Sequence, residues 1–412
     1  AAYNSKGTFV SAATPEEVSN AMKDALGNIS DRVGSAASVA FNTTTLTGSS
    51  AVYLAQFNSA NNKWSGDLLS FPLDAVTGSV DSTANWTAAT VLDALVSPET
   101  TRNIFTYNGT VGIPFSWGNL TATQQADLKI NPDSSIADDV KAEARLDFLR
   151  GDDSNEEGNG GTYTFRNRSK LLGDIVHSDP VFVGEPELSW PKSSPFPTTA
   201  GSTYDDFKNG SAKEREAIVY VGANDGMLHG FKASNGEEAL AYIPNSVFSS
   251  ASATSGLHYL TDTTYTHRYY VDLPSTVSDV YINTGAGDAW HTVLIGGGRV
   301  GSQGLFALDI TNPTAFSETA VNAENLVLWE FDQTVDPDMG FTFSKPSIAM
   351  MNNGRWAAIF GNGYNGSGDG EAKLFIVFLD GGLDGIWTDG SAGSDLDYVK
   401  ITTKVGSITS SD

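Results

Sequence analysis

The chain of 412 residues contains no cysteine, so disulfides, thiolate metal sites and cysteine nucleophiles have no place in it. Positive charge is also scarce. Lys and Arg number 24 against 49 Asp and Glu, a formal net charge of -25, and a field of that sign repels phosphate backbones and anionic membrane surfaces. Nucleic acid is therefore not expected as a partner. Divalent cations are admitted, although most of the carboxylates read as a solubilising surface. No apolar run reaches bilayer length, so membrane insertion is not expected, and the opening AAYNSKGTFVSAA lacks the charged-then-apolar build of an export signal. Either the protein is cytoplasmic or the chain starts downstream of such a signal, and the second reading, of a protein that works outside the cell, is preferred. Catalytic signatures are missing too. There is no HExxH and no G-x-S-x-G elbow, and the glycine-dense GGGRVGSQG lies between strands with no following helix, which argues against nucleotide binding. His177, His229, His258, His267 and His291 are spread over different segments. His177 beside Asp174 and His229 beside Asp225 are read as structural groups at strand ends.

What is present is a hairpin that recurs four times. The copies are Ala51 to Gly78, Val219 to Glu237, Val293 to Pro313 and Ala357 to Gly382, each an apolar strand, a Gly/Asn/Asp-rich turn and a second apolar strand. Period-two alternation with β-branched and aromatic residues excludes a helical solenoid and predicts a β-propeller, an all-β fold. Three of the hairpins follow a proline element: HSDPVFVG with Pro180, VDLPSTV with Pro274 and FSKPSIAM with Pro346. Proline lacks the ladder donor and so fits the start of a strand, which makes these the innermost strands of blades.

Helices are expected at three places. Thr14 to Ile29 opens with an N-cap, a proline at the first helical position and two glutamates. Trp86 to Leu95 reads as a short helix, and Ser135 to Leu149 as another with Ile136, Val140, Ala144 and Phe148 on one face. Trp64-Ser65-Gly66-Asp67 reads as a turn, and Gly151 to Gly161 as an acidic loop. Residues 1–34 are read as a linker helix after an N-terminal region and 35–412 as the propeller, with insertions at about 86–165 and 185–216. Trp190, Phe196, Tyr204 and Phe207 in the second insertion are expected to pin that loop down.

In this order, RNRSKLLGDIVHSDPVFVGEP, VYVGANDGMLHGF, YIP, YTHRYYVD, WHTVLIGGGRVGSQGLFALDIT, VLWEF and GRWAAIFGNGYN resemble the propeller domain of the PilY/PilC family of bacterial type IV pilus tip-associated biogenesis factors and adhesins. The resemblance covers essentially the whole chain. It implies a modified seven-bladed, quinoprotein-like propeller, with later blades beyond Asp412, on the cell surface or at the pilus tip. It also implies minor pilins and a host or environmental surface ligand as partners. A calcium site that tunes pilus extension against retraction is implied in a loop beyond Asp412, so no ligand is carried onto this chain.

Oxygen-rich segments within the chain are the alternatives for calcium: Asp152, Asp153, Ser154, Asn155, Glu156 and Glu157; Asn362, Asn365 and Asp369; and Asp384, Asp389 and Asp395. None has EF-hand spacing with its closing glutamate, and each is read as a solvated turn. Two readings from other classes stand beside a non-catalytic surface protein. One is a quinoprotein-type dehydrogenase, which shares the propeller architecture but needs a quinone, a metal and an Asp base. The other is a structural subunit of an extracellular filament.

Overall fold

The computed structural model describes residues 34–41, 50–59, 63–74, 79–389 and 396–407. The helix expected over Thr14 to Ile29 lies outside them. Each recurring hairpin supplies the second and third strands of an antiparallel meander. The first sheet runs β1 (Gly34–Phe41), β2 (Ala51–Asn58), β3 (Ser65–Pro72) and β4 (Trp86–Thr87). The second has the order β6-β5-β10-β9-β8-β7, from β5 (Ile104–Tyr107), β6 (Gly112–Pro114), β7 (Val181–Val183), β8 (Ile218–Gly222), β9 (Leu228–Lys232) and β10 (Glu238–Ile243). The third comprises β11 (Thr276–Asn283), β12 (Asp288–Gly297), β13 (Gly304–Asp309) and β14 (Val327–Asp332). The fourth comprises β15 (Ser347–Met350), β16 (Trp356–Gly361), β17 (Lys373–Phe378) and β18 (Tyr398–Thr402).

Pro180, Pro274 and Pro346 stand just before β7, β11 and β15, the first strands of their meanders. These first strands touch in succession, β1 on β7, β7 on β11 and β11 on β15, which sets the four sheets side by side around a common line. Three apolar cores fill the spaces between neighbouring sheets. One holds Tyr53, Leu68, Val219 and Phe231; the next holds Tyr220, Leu240, Leu294 and Phe306; the last holds Val293, Trp329, Phe360 and Phe375. The middle sheets are apolar on both faces because both are covered, and burying each such side chain is worth about 1.5–3 kcal/mol.

Several expected elements shift, each for a local reason. Trp86 and Thr87 pair with Ser70 and Leu69 as a strand, so the helix is shortened to Ala88–Asp93. Trp86 is held there by its indole N–H, which donates to the Ala233 carbonyl at 3.0 Å. Of the expected Trp64-Ser65-Gly66-Asp67 turn, Ser65 to Asp67 instead form the start of β3, with Trp64 just before it. Gly66 is needed in it, since a Cβ there would lie 2.1 Å from the Gly173 carbonyl oxygen. The helix expected from Ser135 begins at Asp139, because the Asp138 carboxylate caps it by accepting from the Lys141 N–H at 2.9 Å. Its buried face is Ala142, Arg145, Leu146, Phe148 and Leu149, while Ile136 and Val140 are both 67% exposed. Arg145 takes an apolar-looking position because its guanidinium donates to the Leu128 carbonyl and to Asn131 Oδ1. The 86–165 segment also supplies β5 and β6, with β5 pairing in parallel with β10 to extend the second sheet.

Candidate functional site

The titratable side chains are spent mainly on joining segments. Arg102, 3% exposed at its side chain, makes a two-pronged contact with Glu238 at 2.6 and 2.8 Å. Glu238 in turn receives His229 Nδ1 at 2.7 Å, and His229 Nε2 reaches Asp225 at 3.1 Å. Asp225 also accepts the Gly173 N–H at 2.7 Å, which ties the β8–β9 turn to the segment before β7. The result is a buried row of alternating charge. Although burial acts against both ionised forms, Arg102 and His229 hold the Glu238 carboxyl at about 2, and Asp225 and Glu238 hold the His229 imidazolium at about 9.

All five histidines meet a carboxylate. His177 Nδ1 lies 2.6 Å from Asp272, His258 Nδ1 2.5 Å from Asp127, His267 Nε2 2.7 Å from Asp174 and His291 Nδ1 2.6 Å from Asp309. The expected neighbour of His177, Asp174, belongs to His267 instead. His229 does pair with Asp225. Partners such as Asp272 and Asp127 lie 95 and 131 residues away along the chain, so spacing alone carries no signal for them.

The two long loops are fastened rather than free. In the 185–216 loop, Trp190 stacks on Phe196 at 5.3 Å and meets Trp356 edge-on at 5.2 Å, while Tyr204 meets Trp290 edge-on at 4.9 Å. The Trp290 indole donates to the Ser202 carbonyl at 2.9 Å, and the Tyr204 hydroxyl donates to Asp279 at 2.6 Å. These aromatics therefore pin the loop. The 245–264 loop is held by the fully buried Asp127 carboxylate, which accepts the backbone N–H groups of Ser249, Leu257 and His258 at 2.9–3.1 Å. Its start is joined to the third sheet by Glu330, which accepts the Tyr242 hydroxyl at 2.5 Å and the Asn245 N–H at 2.7 Å. Burial without a cation pushes Glu330 up to about 8.

The oxygen-rich segments do not converge. Asp152 accepts from the N–H and hydroxyl of Ser154, and Asn155 Oδ1 accepts the Tyr163 N–H at 2.9 Å. Asp153 contributes its backbone carbonyl to the Asn159 amide, and Glu157 pairs through its backbone N–H with Phe165. The cation within this loop is Arg168, which binds Glu156 at 2.7 Å and the Phe148 and Asp152 carbonyls at 2.6 and 2.9 Å. Asn362 is buried and closes the turn after β16 through the Asp338 and Glu371 carbonyls, with Gly363 and Asn365 at φ of 77° and 59°. Asp369 binds Lys373 at 2.6 Å, and Asp384 accepts the Ile386 N–H at 2.9 Å. Asp389 bridges to Tyr398, and Asp395 lies outside the described residues. Among the described residues, no group of three or more His, Asp or Glu side chains is placed to hold a metal ion. No helix among them is long and apolar enough to cross a membrane.

Comparison with known proteins places this architecture. Type IV pilus biogenesis factor PilY1 of Pseudomonas aeruginosa strain UCBPP-PA14 is 37% identical over 393 residues, 93% of this chain and 31% of that protein. A type IV pilus biogenesis factor PilY1 homolog of Xylella fastidiosa is 40% identical over 263 residues, 61% of this chain and 17% of that protein. The chain thus spans under a third of the length of these relatives. Among solved structures, the Pseudomonas aeruginosa PilY1 C-terminal domain aligns at 37% identity with a TM-score of 0.36, over 48% of this chain and 35% of the other. The family model for the PilY1 beta-propeller domain matches residues 172–389, from the segment before β7 through the fourth hairpin, and the chain belongs to that family.

Proposed function

We propose that this chain is the propeller part of a type IV pilus biogenesis factor that acts without catalysis at the pilus tip, on the bacterial surface. The observation that carries the reading is the alignment of 93% of the chain with a pilus biogenesis factor. The engagement of its histidines and buried acids in fastening sheets and loops supports a frame that presents surfaces rather than one that turns over a substrate. In this reading the frame docks minor pilins and a host or environmental ligand, and favours pilus extension over retraction. Removing residues 172–389 from the full-length protein in a piliated bacterium is expected to abolish surface pili, with recovery when retraction is also disabled. Undiminished piliation would sink the proposal.

Calcium control is proposed for the full-length protein, outside the acidic loop that Arg168 occupies. Calorimetric titration of this chain with calcium is expected to give no saturable heat, whereas the full-length protein gives heat that a chelator removes. Saturable binding by this chain would move the control into it.

The ring is proposed to be seven-bladed. The end sheets support a larger ring, since each has a second apolar face outside the three cores. On the fourth sheet Ile359, Ile376 and Val399 are cross-strand partners, with Leu374 beside Ile401, and the last two are 38% and 48% exposed. On the first sheet Val39, Leu54 and Leu69 are partnered in the same way. Electron-microscopy class averages of the full-length propeller should show seven lobes, and any other number would refute this.

A further inference from the structure

In an antiparallel meander the approach to the first strand and the turn between the second and third strands lie at the same end. The YTHRYYVD segment before β11, the segments before β7 and β15, and the turns around Trp64, Arg299 and Tyr364 therefore share one end of the molecule. Side-chain contacts join them into a continuous row across all four sheets. Trp64 lies 4.0 Å from the His267 ring, His267 meets Tyr269 edge-on at 4.9 Å, and Tyr269 lies 5.5 Å from the exposed His177. His177 and Arg299 share Asp272 beneath them. Arg299 then sits 4.6 Å over the Phe343 ring, and Phe343 stacks on Tyr364 at 5.7 Å. Phe343 and Tyr364 are 47% and 46% exposed.

Cations flank the row at the Trp64 end. Arg166 lies 4.4 Å over Tyr265, and the exposed Arg268 faces Tyr259. Among the described residues neither has a carboxylate within ion-pair distance, unlike Arg102, Arg150, Arg168 and Arg355, which all do. A recess beside Trp64 is lined by Arg166 and Asp225, together with Arg168 and Lys170, which are paired with Glu156 and Asp93. The carboxylates in the row, Asp174 and Asp272, have side chains only 3% and 1% exposed, so they orient the imidazoles from below. In a chain of net charge -25, this row therefore presents guanidinium and imidazole groups interleaved with ring faces, while the exposed Asp369 in the turn that carries Tyr364 is paired with Lys373.

We propose that this end binds a carboxylated sugar chain of the uronate type, with sugar faces against the aromatic rings and carboxylates against Arg166, Arg268 and Arg299. The guanidinium fork matches a carboxylate, and ring faces match the C–H faces of pyranoses. An acidic peptide would offer carboxylates to the same guanidinium groups but no pyranose faces to the rings, and hexaglutamate in the test below separates the two. A nucleic acid carries a denser charge, which the acidic remainder of the surface repels. The inference rests on the adhesive reading above for its biological setting only.

The test is calorimetry on this chain with hexagalacturonate, its fully methyl-esterified form, hexaglutamate and a short oligothymidylate. Saturable binding of hexagalacturonate is expected, weakened by salt, with Arg268→Ala and Phe343→Ala each costing about tenfold in affinity and leaving the unfolding temperature unchanged. Arg268→Lys, which keeps the charge but loses the fork, should fall between. Four outcomes would each overturn the proposal: no binding at millimolar hexagalacturonate, equal binding of the ester, undiminished binding by both alanine variants, or tighter binding of hexaglutamate or oligothymidylate. Should the chain bind the uronate while piliated cells fail to adhere to a uronate-coated surface, the site stands and the adhesive reading falls.

Discussion

Arg102→Met is expected to lower the free energy of unfolding by about 3–5 kcal/mol, because it leaves Glu238 as a buried charge with its main partner removed. The effect exceeds that of an exposed ion pair because Arg102 and Glu238 side chains are only 3% and 2% exposed. Glu238 joins Arg102 to His229, and His229 joins Glu238 to Asp225, so the loss spreads from β10 to the β8–β9 turn. Arg102→Met combined with Glu238→Gln should recover part of the loss, since the orphaned charge is then absent. The check is chemical denaturation of the single and double variants. A double variant as unstable as the sum of the singles would show that the side chains do not act as a unit.

The same row sets a pH dependence. The His229 imidazolium is raised to about 9, so its contribution is fully present below the unfolded value of 6.5 and is lost as pH rises through 9. Glu238 is lowered to about 2, so its contribution is present above its unfolded value of 4.5 and is lost as pH falls towards 2. Glu330 is raised to about 8 and therefore favours the fold most below 4.5, with loss as pH rises through 8. The unfolding temperature should consequently fall as pH rises from 6.5 to 9. A flat profile across that window would contradict the charge assignment of His229.

Trp290→Ala should destabilise the protein by about 3–5 kcal/mol, in the range of a truncated buried tryptophan, and release the 185–216 loop. Trp290 is 6% exposed and contacts Tyr204, Phe207, Tyr281 and Trp356. Its indole also holds the Ser202 carbonyl. Trypsin should then cut after Lys192 or Lys208 under conditions that leave the parent chain intact. Trp290→Phe keeps most of the packing and loses one hydrogen bond, a cost of about 1 kcal/mol from that bond. Unchanged protease resistance in Trp290→Ala would mean that the loop is held by Trp190 and Tyr204 without the help of Trp290.

Much of this architecture is written in local pattern. The apolar runs in Val293 to Pro313 and Ala357 to Gly382 specify strands joined by a glycine-rich turn, and Pro180, Pro274 and Pro346 mark where first strands begin. Such features depend on backbone chemistry within a few residues, and they survive folding unchanged. Where the reading slipped, a distant group had intervened. Trp86 forms a strand because Ala233 accepts its indole N–H, and Arg145 faces inward because Leu128 and Asn131 accept its guanidinium.

The sequence by itself therefore determined the hairpin repeat, the all-β class, the family and the acidic surface, since each is a property of composition, period or ordered motif. Only the tertiary structure decided which carboxylates serve His177, His258, His267 and His291, that Arg168 occupies the acidic loop, and that Trp64, Tyr269, Arg299 and Phe343 meet at one end. The physical reason is range: an ion pair or ring contact forms over a few ångströms of space, and the sheets bring together partners that lie scores of residues apart along the chain.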